Sequence, residues 1–464
     1  MVDRKNNSIQ VENKMGTQSV KWLLFSMSFP PMISMIVAAL YNIVDSIFVA
    51  KISEKSLTAL TIAFPVQMLM VSILVGTGVG LASLISRRLG EKRQAEADMA
   101  VTHGIALGLL CYIAFLIFGL FISPIYVKSF TDDPLIISQT VLYLRIVMSG
   151  SITICISIPI ERILQATGNT LAPMIFNISG AAINSCLAPI FIIGLFGMPR
   201  LNVLGAGLVA VFGQSIALSI ALILFHKGKH LVHIDFKHFK FHMKIVKDIY
   251  VVAIPTIILM SITSVMLSIM NIILMPLSHS AVAVLGVYFR IQQFVFMPIF
   301  GMCQGALPLM GYNYGAKKKE RFVKIYKSAI VVSILIMATG MVLFQLLPDK
   351  ILLLFSAKDS MMEIGIDALR TISLGFLPAG FCIVTIAVFQ ALAHGTAAML
   401  TSILRQLVCI IPLAYIFAKT LGLDAVWFSF PIAELVAFTF VLFYFMHIYK
   451  TQIKKLDDIN TIPV

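Results

Sequence analysis

The sequence predicts an all-α polytopic membrane protein with twelve transmembrane helices, divided into two halves that enter the membrane from the same side. Three observations predict it. The composition is apolar, with 59% hydrophobic and 12% charged residues among 464, outside the range of soluble globular chains. Apolar runs long enough to cross a bilayer, about 20 residues each, recur along nearly the whole chain. The chain also aligns with itself at an offset of 225 residues. A membrane β-barrel would instead show alternating segments of about ten residues.

The first run, 22–50, follows a polar stretch and is too long for the apolar core of a cleavable signal, so it is expected to stay as a span. Pro30-Pro31 mark a kink within it. The second, 57–86, ends at the basic break "SRRLGEKR", and the third, 99–126, ends before "TDDP". The fourth, 135–164, stops at "QATGN"; the fifth and sixth, 170–197 and 203–226, are parted by "GMPRLN". After a basic segment come the seventh, 245–275, and the eighth, 281–312, which ends at "GAKKKER". The ninth to twelfth are 325–347, 361–392, 399–420 and 425–449. Most exceed the minimum length, so tilt or kinks are expected. The resulting division is a tail 1–21, a first half 22–226, a linker 227–244, a second half 245–449 and a tail 450–464.

Lysine and arginine are unevenly shared among the breaks. The N-terminal tail, 87–98, 226–248, 315–327 and the C-terminal tail hold 23, whereas the alternate breaks hold 7. By the positive-inside rule both termini are expected in the cytoplasm, and the net charge of +14 reflects topology, with no nucleic-acid partner implied. The six cysteines lie in or at the ends of spans without CxxC spacing, so they read as small core residues. The linker is rich in His and Lys, with Asp235 as its one carboxylate; lysines disfavour a cation, so it reads as a solvated basic connector without a metal site.

At the offset of 225, Pro30 falls on Pro255, Phe64 on Phe289, Gln67 on Gln292, Gly76 and Gly80 on Gly301 and Gly305, and Gly90 on Gly315. Further on, Arg145 falls on Arg370, Gly150 on Gly375, and Gln165-Ala166 on Gln390-Ala391. The coincidence of Gly, Pro, Gln and Arg with matching hydropathy breaks identifies a repeat. Six spans per repeat is an even number, so the repeat is parallel, about an axis along the membrane normal.

With the breaks set aside, Arg145, Arg162, Arg290, Arg370 and Arg405 remain within spans, as do three acids, Asp45, Glu161 and Glu434. Intramembrane ionisable groups are functional candidates by default. Arg145 and Arg370 read as structural, by snorkelling or local pairing. Glu161 reads either as half of a neutralising pair, with the adjacent Arg162 or with Arg405, or as a transport residue. Glu434 lacks a partner nearby in sequence and reads either as pathway-lining or as paired with an Arg. Asp45 has no basic residue within one helical turn, and an ionised Asp at the bilayer centre costs about 2.5 to 3.5 kcal/mol. It is therefore expected to be protonated, ion-bound or facing water. A site that serves both a small cation and a cationic substrate would make the two compete, which suffices for exchange if access alternates between the halves. Gln67, Gln292 and Asn271 are the uncharged polar positions expected near a cleft, or else in interhelical hydrogen bonds.

These stretches resemble the multidrug and toxic compound extrusion (MATE) family: "FPPMISMIVAALYNIVDSIFVA", "SRRLGEKR", "QATGNTLAPM", "NISGAAINSCLAPIFI", "YFRIQQFVFMPIFGMCQGALPLMGYNYGAKKKER" and "FSFPIAELVAF". They cover both halves. The resemblance implies two six-helix bundles around a central cleft, in a monomeric, multi-pass exporter of the bacterial plasma membrane. Such an exporter moves amphipathic, often cationic small molecules, contacts lipid, and takes no cofactor beyond a coupling ion, H⁺ or Na⁺. It implies that Asp45 binds that ion and that Asn184 joins it. Where some members carry an Asp one turn later and a Thr on the sixth span, this chain has Ala188 and Ala210. Fewer hard oxygen ligands favour H⁺ over Na⁺.

Two other functions compete with this one. An exporter or flippase of a metabolite or lipid-linked substrate would need several cleft cations for phosphate, and Arg290 and Arg405 are the positions available. An intramembrane enzyme or receptor is disfavoured because no HExxH, GxSxG or Walker A pattern occurs.

Overall fold

Backbone groups that leave water must be satisfied within the chain, and an apolar run can do this alone only as a helix. The computed structural model describes residues 13–49, 54–194, 197, 199–228, 231–237, 239–353, 355 and 359–456, without the side chains of 42–49, 54, 193, 359 and 360. Helices account for nearly all of these residues, and no strand occurs among them. In the first half, α1 is Val20–Val49, α2 Glu54–Gly90, α3 Gln94–Ile117, α4 the pair Pro134–Gly150 and Ile152–Ala166, α5 Leu171–Ala188 and α6 Asn202–Lys227. In the second, α7 is Met243–Leu274, α8 His279–Gly315, α9 Lys319–Leu346 and α10 the pair Asp359–Ser373 and Phe376–Ala391. The chain ends with α11, Gly395–Thr420, and α12, Ser429–Ile448.

Among the described residues, ten spans are long and apolar enough to cross a membrane unbroken, and α4 and α10 bring the number to twelve when each bent pair counts as one. Their bends, 43° and 50°, fall at Gly150 and Gly375, which are repeat-related. Pro30, Pro31, Pro65, Pro159, Pro255, Pro298 and Pro308 all lie inside helices, as neighbouring helices permit in a membrane protein. Asp133 starts α4 by accepting from the amides of Leu135 and Ile136, with Pro134 in the first turn. Lys55, at 2.8 Å, and the Leu135 amide hold the Asp133 carboxyl below its ordinary range.

The two halves meet through α1 against α8 and α2 against α7. Advancing by six helices turns one crossing into the other, as a parallel repeat requires. Glycine permits the approach: a Cβ on Gly80 would meet the carbonyl oxygen of Ile249, and one on Gly305 that of Met27. Gly90 and Gly315, also repeat-related, and Gly301 are likewise tight against backbone of the other half, whereas a Cβ on Gly76, the repeat mate of Gly301, would first meet the Ile257 side chain. Small residues at such crossings let helices gain packing energy where lipid offers no hydrophobic contrast.

The same face of the molecule carries the start of α1, the end of α2, the start of α7 and the end of α8, and with them Arg87, Arg88, Lys318 and Arg321. We call it the basic face. Its loops repeat in backbone detail. Lys92 and Lys317, 225 apart, both adopt left-handed φ, 59° and 55°; Gly168 and Ala393 do so at 91° and 64°.

The described linker residues 231–237 and 239–242 are more ordered than a solvated connector. They lie along α3: the amide of His233 donates to Asp98 at 2.8 Å, that of Asp235 to Thr102 at 3.3 Å, and that of His242 to the Nε2 of His103 at 2.8 Å. Accepting at Nε2 leaves the buried His103 to donate from Nδ1 to the Met99 carbonyl, 2.7 Å away. Phe239 and Phe241 cover its ring.

Candidate functional site: intramembrane acids and the seam

Asp45 lies on α1, but its side chain is outside the described residues. Its depth follows from the backbone. α1 packs on α5, and the Thr170 hydroxyl donates to the Ser26 carbonyl at 3.4 Å, which sets the register. At 1.5 Å per residue, Asn184 sits about 21 Å beyond that bond and Asp45 about 28 Å, an offset of little more than one turn. Asn184 is buried, with its side chain against Gly213 of α6. Ala188 is buried and Ala210 half-buried; neither supplies a side-chain oxygen.

Glu161 and Glu434 have partners. One oxygen of Glu161 accepts from Gln165 at 3.0 Å, the other from Asn177 of α5 at 3.1 Å, and Arg162 stands 3.9 Å away as a counter-charge. Arg162 also donates to Gln165 at 3.1 Å. Glu434 on α12 accepts from Arg405 of α11 at 3.1 Å, while its second oxygen is buried without a hydrogen bond among the described residues. Arg405 lies in a π-helical stretch, Ile403–Ile410, and Gly375 at the α10 bend leaves room for Glu434.

Gln67 is half-buried and exchanges hydrogen bonds with the Tyr143 hydroxyl of α4, at 3.1 and 3.3 Å. Its repeat mate Gln292 has Ala368 where that tyrosine would be, and the Gln292 Oε1 is buried without a partner among the described residues. Asn271, near the end of α7, and Arg290, on α8, are exposed and stand apart from these clusters. Arg145 and Arg370 donate to the repeat-related carbonyls of Leu120 and Gln345, at 3.5 and 3.3 Å, and so tie down the π-helical stretch Phe118–Ile122 that continues α3 and the end of α9.

The seam contributes residues that sequence reasoning passed over. Ser28 donates to the Met302 carbonyl at 3.1 Å, Ser83 to that of Gln390 at 2.6 Å, and Gln165 to the Gln304 side chain at 3.2 Å. Asn313 donates to the Met15 carbonyl at 3.1 Å, Arg321 to that of Gln18 at 2.7 Å, and Arg88 pairs with Asp248 at 3.2 Å. All of these join the second half to the first half or to the N-terminal tail, toward the basic face. Farther along α8, a Cβ on Gly286 would meet nothing within 4 Å. The repeated glutamines 165 and 390 were the available signal, since both end a bent span at the seam. Among the described residues, no group of His, Cys, Asp or Glu is arranged to hold a metal ion.

The MatE family model matches twice, over residues 30–190 and 255–416; the starts lie 225 apart, the offset of the internal repeat. The chain is similar to the multidrug export protein MepA of Staphylococcus aureus strain MRSA252, 27% identical over 415 residues that cover 88% of this chain and 89% of that one. MepA of Staphylococcus haemolyticus is 26% identical over 426 residues, 90% and 91% of the two chains. A structure of the outward-facing conformation of a multidrug resistance MATE family transporter of the MOP superfamily superposes with a TM-score of 0.88. It is 28% identical, with 96% of this chain and 98% of that one covered. Members of this family are transporters and not enzymes. Two repeat-spaced matches over most of the chain, on a fold of twelve helices that closes at one face, identify the protein as a member of the MatE family.

Proposed function

We propose that the protein is a proton-coupled antiporter that exports amphipathic, cationic small molecules by alternating access, in the bacterial plasma membrane, with both termini cytoplasmic. The observation that carries this reading is the one-sided seam. Hydrogen bonds and glycine contacts between the halves cluster at the basic face, which by its charge faces the cytoplasm. That closure supports an outward-facing state, with the Asp45 level of α1 on the side away from the seal. Glu161 and Glu434 are neutralised by partners within the chain, so neither needs a transported ion to stay buried. Coupling then falls to Asp45, with Asn184 offset from it by about 7 Å along the helix axis and alanines in place of further oxygen ligands, a donor set better suited to a proton than to Na⁺. The Gln292 Oε1, buried and without a hydrogen bond among the described residues, is an acceptor that a cationic substrate would have to reach from the cleft. The protein acts as a monomer.

The test is cationic-dye transport in proteoliposomes with a pH gradient or a Na⁺ gradient imposed separately. The pH gradient is expected to drive exchange, and Asp45→Asn to reduce it to the level of empty liposomes. Undiminished coupled transport by the variant would remove Asp45 from the mechanism. Transport driven equally by Na⁺ alone would overturn the choice of ion.

A further inference from the structure

At the basic face a groove of about 500 Å³ opens between the start of α1, the start of α9 and the end of α12. Lys21, Lys319, Lys324 and Lys327 line it, with Ser328 and a single acid, Glu320. Lys21, Lys324 and Lys327 are exposed. Four ammonium groups around one carboxylate repel one another, and an anion brought among them relieves that repulsion.

The surroundings decide what kind of anion. Trp22, next to Lys21, is 62% exposed, and Phe25 and Phe29 continue the same exposed face of α1, with rings stacked 5.1 Å apart. Exposed tryptophan beside lysine marks the level of lipid head groups. On α9, one and two turns beyond Lys327, Val331 and Leu335 are also exposed. A basic pocket is thus bordered on two helices by apolar stripes that run on into the membrane. A free phosphate would use only the lysines, whereas a phospholipid would use both. Basic pockets between transmembrane helices are a recurrent means of binding anionic head groups.

We propose that this groove binds an anionic phospholipid, its phosphate among Lys21, Lys324 and Lys327 and its acyl chains along Phe25 and Phe29 of α1 and Val331 and Leu335 of α9. Lys21 belongs to the first half and the α9 lysines to the second, and α1 and α9 are in contact. One lipid molecule therefore bridges the halves at the face where they are sealed.

The experiment uses the full chain in phosphatidylcholine vesicles and reads quenching of Trp22 by lipids brominated on their acyl chains. The Trp22 signal is the difference between the native protein and Trp22→Phe; the buried Trp427 reports folding in every sample. Brominated phosphatidylglycerol is expected to quench at roughly a fivefold lower mole fraction than brominated phosphatidylcholine. Replacing Lys21, Lys324 and Lys327 together by Gln is expected to abolish the preference, and replacing them by Arg to preserve it. Equal quenching by the two lipids in the native protein would overturn the proposal. So would a preference that survives the Gln replacements, or one that soluble glycerol phosphate removes, which would assign the groove to a free phosphate.

Discussion

At the scale of residues, what matters is how each intramembrane charge is balanced. The pair formed by Arg405 and Glu434, 3.1 Å apart and largely buried, is a case where losing one member costs more than losing both, since a lone charge remains without solvent. Glu434→Gln and Arg405→Met are each expected to destabilise the detergent-solubilised protein by about 3 kcal/mol. The double variant should recover at least half of that loss in thermal unfolding followed by near-ultraviolet circular dichroism. Strictly additive losses would show that the two groups do not act as a pair. The sequence offered pairing with an Arg as one of two readings of Glu434 but did not single out Arg405, because the partners sit 29 residues apart on different helices and periodicity reports only a helix's own faces. The same holds for Gln67 with Tyr143 and for Glu161 with Asn177. By contrast, Arg145 and Arg370 could be read as structural from their repeat relation, and the structure bonds them to equivalent carbonyls.

Helices and their loops show how far the duplication reaches. Twelve spans were readable because an apolar run of bilayer length has one stable conformation in lipid. The bends of α4 and α10 were not, since a glycine in an apolar run signals a bend, a close crossing or nothing in particular. Ala393 occupies the position that Gly168 holds in the first half and keeps a left-handed φ of 64°. A Cβ there costs about 1 kcal/mol. Ala393→Gly is therefore expected to raise the unfolding midpoint by about 1 °C or more, whereas Gly168→Ala should lower it. A lower midpoint for Ala393→Gly would mean that the alanine methyl contributes packing that outweighs the strain.

For the whole molecule, the seal at the basic face is a pair of equivalent crossings in which glycines bring backbone onto backbone. Gly80→Leu and Gly305→Leu are each expected to force the halves apart there, because Ile249 and Met27 meet the new side chain with main-chain oxygen, which cannot rotate away. Labelling of a cysteine placed at Ser28 by a membrane-impermeant thiol reagent from the basic-face side should rise at least about tenfold in either variant; unchanged labelling would mean that the seam tolerates the side chain. The glycines were visible in the sequence as repeat pairs, but their partners across the seam were not, since no repeat states which helices of the two copies touch. The ordering of the linker was hidden as well, because its bonds to α3 run through main-chain amides that every residue has. That last feature has a mechanical consequence. The covalent tie between the halves is fastened at His242 to His103, one residue before α7 begins. The chain has no slack there, so if the halves separate at this face, α7 must swing about the His103 anchor as a lever about its pivot.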